Sequence, residues 1–244
     1  MIEAGSLIRS LNGRTAARNF HTYVINEIGS AIVAGRFPVG SVLASDAVMM
    51  ETYGVSRTVL REALKTLEAK GLVEARPKVG TRVSPRSRWN FFDPQVLAWH
   101  FEAPPDPRFD ASLFEVRLAL EELGVRHAAR YRTAEQVRLL KYWAHQAAAA
   151  EDNVEQFGLA CLEIHAIIAE CSQNALVRSV VGVVELTLAL ALTRNGDEAA
   201  AYRASRTTIL DELVATVEAG SADAAAEAAG RACELDRKRV ADRL

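Results

Sequence analysis

Apolar positions Tyr23, Val24, Ile28, Ala31 and Ile32 recur at helical spacing and predict a helix from Phe20 to Gly35. The segment Arg36-Phe37-Pro38-Val39-Gly40 breaks it. A second, short helix is predicted through Ala44–Tyr53, with Ser45 or Asp46 placed to cap it. Gly54 supplies a tight turn, and Ser56 is the candidate N-cap of a third helix reaching about Lys70 and stopping at Gly71. Two short strand patterns follow, Leu72–Arg76 and Thr81–Ser84, with Pro77–Gly80 between them as a hairpin tip. Three helices and then a hairpin is the order of a winged helix-turn-helix.

The texture then changes twice. Residues 85–108 hold five of the seven prolines, so no long helix is expected to cross them. They also hold Trp89, Phe91, Phe92, Trp99 and Phe101, and a loose tether would not expose so much aromatic surface to water. The reading is a linker that packs onto one or both of its neighbours. From about Asp110 onward no strand pattern occurs. Helical stretches near 111–131, 133–150, 153–172, 174–194, 197–219 and 221–243 are predicted, rich in alanine and therefore suited to close interhelical packing. The expected fold is mainly α: a winged helix-turn-helix over 15–84, an aromatic and proline-rich linker over 85–108, and an all-helical bundle over 109–244.

Composition narrows the function classes. Half of the 244 residues are apolar and a quarter charged, in the range of a globular chain with real cores. No apolar run has the length needed to cross a bilayer, and the first residues lack the apolar stretch of a signal peptide. Three cysteines without CxxC spacing argue against a disulfide framework, and the cytoplasm is the expected compartment. The net charge of −2 conceals an asymmetry. Residues 1–88 carry 13 Lys and Arg against 7 Asp and Glu, a net +6, and the remainder nets −8. A basic first third on an acidic chain points to nucleic acid as the partner of one end.

The third helix is the element best suited to that partner. Leu60, Ala63, Leu64 and Leu67 form its buried stripe, while Arg57, Arg61 and Lys65 repeat every four residues on another face. A first turn offering Ser56, Arg57 and Thr58, with Arg61 one turn on, suits the major groove. Arg can hydrogen-bond guanine, and hydroxyls with the helix N-terminus can hold phosphates. The bland alternative is an ordinary solvated amphipathic helix.

Three stretches carry a resemblance. Gly35-Arg36-Phe37-Pro38-Val39-Gly40-Ser41-Val42-Leu43, Tyr53-Gly54-Val55-Ser56-Arg57-Thr58-Val59-Leu60-Arg61-Glu62-Ala63-Leu64 and Leu67-Glu68-Ala69-Lys70-Gly71-Leu72-Val73-Glu74 resemble the GntR family of regulators. Pro77-Lys78-Val79-Gly80-Thr81-Arg82-Val83 resembles its wing. The resemblance implies DNA contacts from Ser56, Arg57, Thr58 and Arg61, with the wing tip at Gly80 bringing its backbone to the duplex; Lys65 and Thr81 complete the expected DNA-binding set. Ala47 stands where the family often has a DNA-touching Arg.

The helical part resembles the FCD-type effector domain of the FadR branch, through Leu113–Glu121, the His165 region ending at Gln173-Asn174-Ala175-Leu176, and Ile209-Leu210-Asp211. The Trp89–Trp99 segment is similar to linkers of sugar-acid-responsive repressors. Relatives of this type often bind a divalent metal through an Asp-x-x-x-His pair and two later histidines. Here the pair reads Cys161-Leu162-Glu163-Ile164-His165, and Arg206 and Cys233 stand at the later positions. Arginine has no lone pair to give a metal, so no metal and no cofactor is expected. A metal-dependent regulator built on Cys161, His165 and Cys233 remains an alternative.

Helical spacing puts Arg117, His165 and Arg206 on apolar faces of separate helices, where each needs an anionic partner. That partner is either a protein carboxylate (Glu163, Glu170 or Glu121) or a small organic acid held by an Arg fork. The effector candidates are Arg117, His165, Arg206, Cys161 and Cys233. The function expected is a regulator of transcription, without catalytic residues, that binds double-stranded operator DNA as a homodimer and is released from it by a small carboxylate such as a sugar acid. Two further readings stay open: a Cys/His enzyme fused to a DNA-binding module, and an architectural DNA-binding dimer without a ligand.

Overall fold

The computed structural model describes residues 5–11, 20–150, 152–179, 181–193 and 198–241. They fall into two compact units, one within Thr15–Pro104 and one combining Pro105 onward with the chain's first residues.

In the first unit the predicted order holds. Helix α2 (Phe20–Val33), α3 (Asp46–Tyr53) and α4 (Arg57–Ala69) precede β1 (Val73–Arg76) and β2 (Gly80–Val83). The strands pair antiparallel, Val73 opposite Val83 and Arg76 opposite Gly80. Of the two cap candidates for α3 it is Ser45 that accepts a hydrogen bond, from the Val48 amide. Leu60, Ala63 and Leu67 of α4 bury against Val24, Ile28 and Ile32 of α2. Burying apolar area at about 25 cal/mol per Å² is what holds these short elements together.

The proline-rich segment belongs to this unit. It turns through a short 3₁₀ helix (Arg86–Arg88) into α5 (Pro94–Glu102). Pro94 sits in the first turn of α5, where its missing N–H costs nothing, and Asp93 accepts from the Gln95 and Val96 amides. Trp89, Val96 and Trp99 are buried in the core of α2 and α4. The Trp89 indole donates to the Ser84 carbonyl and the Trp99 indole to Asn26. Gly29 on α2 makes this possible, because a Cβ there would lie 2.4 Å from the Trp99 ring. The segment read as a linker belongs, through Pro104, to the winged-helix unit and its core.

The second unit is entirely helical among its described residues. It comprises α1 (Ser6–Ser10), α6 (Pro107–Tyr131), α7 (Ala134–Ala149), α8 (Val154–Cys171), α9 (Ala175–Ser179), α10 (Val181–Leu192), α11 (Glu198–Ala219) and α12 (Ala222–Ala241). Val180, between α9 and α10, lies outside the described residues, as do 194–197. Helices α6 and α12 pack along much of their length, with Ala128 and Ala129 on one and Ala225, Ala229 and Ala232 on the other fully buried. Small side chains permit that approach. Helix α1 had no counterpart in the sequence pattern. Ile8 is fully buried beside Gly158 of α8, and the Leu7 amide donates to the Glu185 carboxylate of α10 at 2.8 Å. Among the described residues no helix is long and apolar enough to cross a membrane.

Candidate nucleic-acid interface and buried polar cluster

Ser56 ends the turn after α3 and caps α4, its hydroxyl accepting from the Val59 amide at 3.4 Å. Arg57, Thr58 and Arg61 are exposed on the first two turns. Among the described residues neither arginine is paired with a carboxylate or another side chain. Lys65 differs, since its ammonium meets Glu62 at 2.8 Å. Both are exposed, so the pair adds little stability and opens readily to a competing phosphate. On the wing, Lys78, Val79 and Gly80 are exposed. Lys78 and Gly80 both have positive φ, 65° and 107°, which folds the tip tightly. Thr81 is half-buried, its carbonyl accepting from the Leu43 amide, so the base of the wing is tied to the turn before α3.

The sensor-domain candidates form one buried polar cluster. Arg117 on α6 is fully buried; its Nε donates to Glu121 Oε2 at 2.9 Å. Its Nη1 donates to Asp236 Oδ2 at 2.7 Å and Thr187 Oγ1 at 2.9 Å. Arg206 on α11, also fully buried, donates from Nη2 to His165 Nε2 at 2.9 Å, and its Nε stands 3.3 Å from Asp236 Oδ1. Tyr202 OH donates to the same Asp236 oxygen at 2.7 Å. Because arginine only donates, His165 Nε2 carries the lone pair and its proton sits on Nδ1, 2.5 Å from Glu121 Oε1. Two guanidiniums thus face two carboxylates across a neutral imidazole.

The electrostatics follow from that arrangement. Burial alone would push the Glu121 carboxyl up, but Arg117 and His165 outweigh it and hold it well below the usual carboxylate range. Burial pulls the Arg117 guanidinium down, and Glu121 with Asp236 more than reverse this. His165 is held below its ordinary value by burial and the two arginines, against Glu121. Burial pushes the Cys161 thiol up to about 12 and that of Cys233 to about 11.

These facts bear on the metal and enzyme readings. Both nitrogens of His165 are engaged, the two thiols stay protonated, and Arg206 supplies a positive charge at the remaining position. The donor set does not suit a divalent cation, and among the described residues no three His, Cys, Asp or Glu side chains group as metal ligands. A thiol at about 12 is likewise not an activated nucleophile.

The sequence-nominated residues divide by position. Arg117 and His165, with Glu121, line a cavity of about 30 Å³ walled by α6, α8, α9 and α10. Arg206, Cys161 and Cys233 do not line it; Arg206 lies behind His165. Of the nominated internal partners, Glu163 and Glu170 are exposed on α8, and only Glu121 pairs. Asp236, which joins both arginines, was missed. Its signal was a carboxylate inside the buried stripe Ala225, Ala229, Ala232, Cys233 and Val240 of α12. Thr187, a lone hydroxyl in the apolar run of α10, was missed too.

A winged helix with an exposed arginine face is thus joined in sequence to a helical unit that encloses a buried polar cluster. The sequence profile for bacterial regulatory proteins of the gntR family matches residues 22–83, and that of the FCD domain matches residues 112–234. The chain belongs to the gntR family of bacterial regulatory proteins, with an FCD domain. It is 37% identical over 139 residues to the HTH-type transcriptional regulator YieP of Escherichia coli strain K12, covering 57% of this chain and 60% of that protein. The galactonate operon transcriptional repressor of the same organism is 30% identical over 151 residues, 62% of this chain and 66% of that one. The repressor NanR of Klebsiella aerogenes is 32% identical over 167 residues, 68% and 64% respectively. The matches to these three thus span under two thirds of each relative's length. In fold, the chain is similar to Lar, which controls expression of the Listeria monocytogenes agr system, with a TM-score of 0.65 at 15% identity over 93% of this chain and 99% of that one. It is similar also to E. coli McbR/YncC, with a TM-score of 0.55, 15% identity and the same coverage.

Proposed function

We propose that this chain is a cytoplasmic transcription repressor that holds a twofold operator as a homodimer, through α4 and the wing, and releases it when a small carboxylate enters the helical domain. The observation that carries the DNA half is the Ser56-capped first turn of α4, with Arg57, Thr58 and Arg61 exposed beside it. Arg57 and Arg61 read base edges, Ser56 and Thr58 hold phosphate, Lys65 exchanges Glu62 for phosphate, and Gly80 and Thr81 seat the wing. One short helix reads too few bases alone, which favours a dimer on a palindrome. The carboxylate half is supported by Arg117 and His165 at the cavity, with Arg206 behind them. The repressor of a galactonate operon among the relatives makes a sugar acid one candidate effector.

A second reading has its own support. Arg117 and Arg206 already face Glu121 and Asp236, as they would in a purely structural cluster of an architectural DNA-binding dimer. Two measurements decide. Arg57→Ala and Arg61→Ala should each weaken specific operator binding by about 1–3 kcal/mol and relax base preference, and unchanged affinity in both would sink the recognition-helix assignment. A thermal-shift screen with small carboxylates separates sensor from architectural protein, since a ligand bound only by the folded state raises its stability. No shift with any carboxylate supports the architectural reading.

A further inference from the structure

The winged-helix unit is an insertion in the helical unit: the chain crosses from one to the other between Arg14 and Thr15 and returns between Pro104 and Pro105. On the returning side α5 ends at Glu102 and α6 begins at Pro107, a link of four residues that includes two prolines. On the outgoing side the chain is fastened by α1. Ile8 is fully buried, and a Cβ on Gly158 of α8 would lie 2.8 Å from Ile8 Cγ2 and from Leu192 Cδ1 of α10. Gly5 fits as tightly, since a Cβ there would stand 2.8 Å from Leu159 Cδ2. Glu185 is the one ionisable residue of the apolar helix α10. It is buried beside α1 and accepts from the Gly5, Leu7 and Ile8 amides, with Arg9 nearby. A buried carboxylate is costly unless it is hydrogen-bonded, so this charge marks a seat made for α1.

We infer that α1 is a clasp that holds the winged-helix unit to the helical unit at a second point and so limits how far the DNA-reading helix can travel. Eight residues, 12–19, join Leu11 to Phe20, and a chain of that length spans at most about 30 Å however it runs. With α1 seated, both ends of the winged-helix unit are on short tethers; with α1 released, only the link through Pro104 and Pro105 remains. The clasp is also a low-stability element. Its buried apolar side chains are Leu7 and Ile8 alone, so it opens locally at less cost than the bundle beneath it. The consequence for DNA rests on the operator reading above: two winged helices on short tethers accept a narrow range of half-site spacings, and unclasped ones a wider range.

Spin labels on the full chain test this, placed through Glu51→Cys on α3 and Glu163→Cys on α8, both exposed, while the three native cysteines are buried. Dilution with unlabelled chain restricts the signal to distances within one molecule. A Gly/Ser insertion of about twelve residues within 12–19 adds about 20 Å of reach and leaves α1 its seat; it should broaden the distance distribution. Ile8→Asp, which puts a charge in the apolar seat, should broaden it likewise, and Ile8→Val should match the parent. An unchanged distribution in the insertion protein would overturn the tether, whatever Ile8→Asp does. An unchanged distribution in Ile8→Asp would overturn the assigned seat. Operator variants with altered half-site spacing complete the test: affinity should fall steeply with spacing in the parent and less steeply in the insertion protein and Ile8→Asp. The same dependence in all three would overturn the clasp's part in spacing. Binding of no operator by the parent would overturn the operator reading, and the distance measurement would still decide the clasp.

Discussion

Asp236 is the residue on which the sensor domain's buried charges converge. One oxygen meets Arg117 and the other faces Arg206 and Tyr202. Removing one partner of a buried pair strands the other, so Asp236→Asn should destabilise the helical unit by about 3–5 kcal/mol in chemical denaturation. Glu163→Gln, at an exposed site, should fall within about 0.5 kcal/mol of the parent. His165 gives the cluster a pH signature. Its folded value is depressed, by burial first and then by Arg206 and Arg117 against Glu121. The unfolded chain therefore binds the proton more readily, and this contribution is complete above the ordinary value of about 6.5 and declines as pH falls through the folded one. Melting temperature followed downward from pH 7 should drop below that value, ahead of the carboxylate limb governed by Glu121. His165→Gln should remove the first drop and keep the second. A parent protein with constant stability from pH 7 to about 5 would contradict the neutral assignment.

At the scale of elements, α5 shows how one glycine admits a helix to a core. Trp99 lies over Gly29 of α2, and Asp93 serves twice, capping α5 and pairing with Lys70 at 2.7 Å. Gly29→Ala gains helix propensity of about 1 kcal/mol yet must displace the indole. The expected net result is a lower melting temperature with altered tryptophan fluorescence, since overpacking a filled site costs about 1–3 kcal/mol. A more stable Gly29→Ala protein with unchanged fluorescence would refute this packing. Period and capping made α2, α3, α4 and the hairpin legible in the sequence, because each element's pattern is local. Helix α5 was not assigned because prolines dominate that stretch. Yet Pro94 and Asp93 start a helix, and only the contacts of Trp89 and Trp99 reveal which core it joins.

At the scale of the molecule, charge is divided as the proposed function requires. The basic excess lies in residues 1–88 and the acidic excess in the rest of the chain, and under the proposed function the basic excess meets DNA phosphate. Operator affinity should fall steeply with salt, since each neutralised phosphate releases condensed counterions. Lys65→Ala should weaken binding evenly across operator variants and reduce the salt slope by about one, whereas Arg57→Ala should change base preference. A salt slope untouched by Lys65→Ala would remove that lysine from the phosphate contacts.

The sequence by itself determined the order of α2, α3, α4 and the hairpin, the arginine face of α4 and the family, because short-range spacing and a contiguous motif encode all three. It also singled out Arg117, His165 and Arg206, since a charge on an apolar helical face is visible without coordinates. It did not determine whom they meet. Glu121 pairs with Arg117 within one helix turn, but Asp236 lies 119 residues from Arg117 and touches it only because α12 packs against α6. The same packing, of helices far apart in the chain, decided that Arg117 and His165 border the cavity while Arg206, Cys161 and Cys233 stand outside its wall. Helical period fixes which face a side chain occupies; only the tertiary fold fixes what lies opposite.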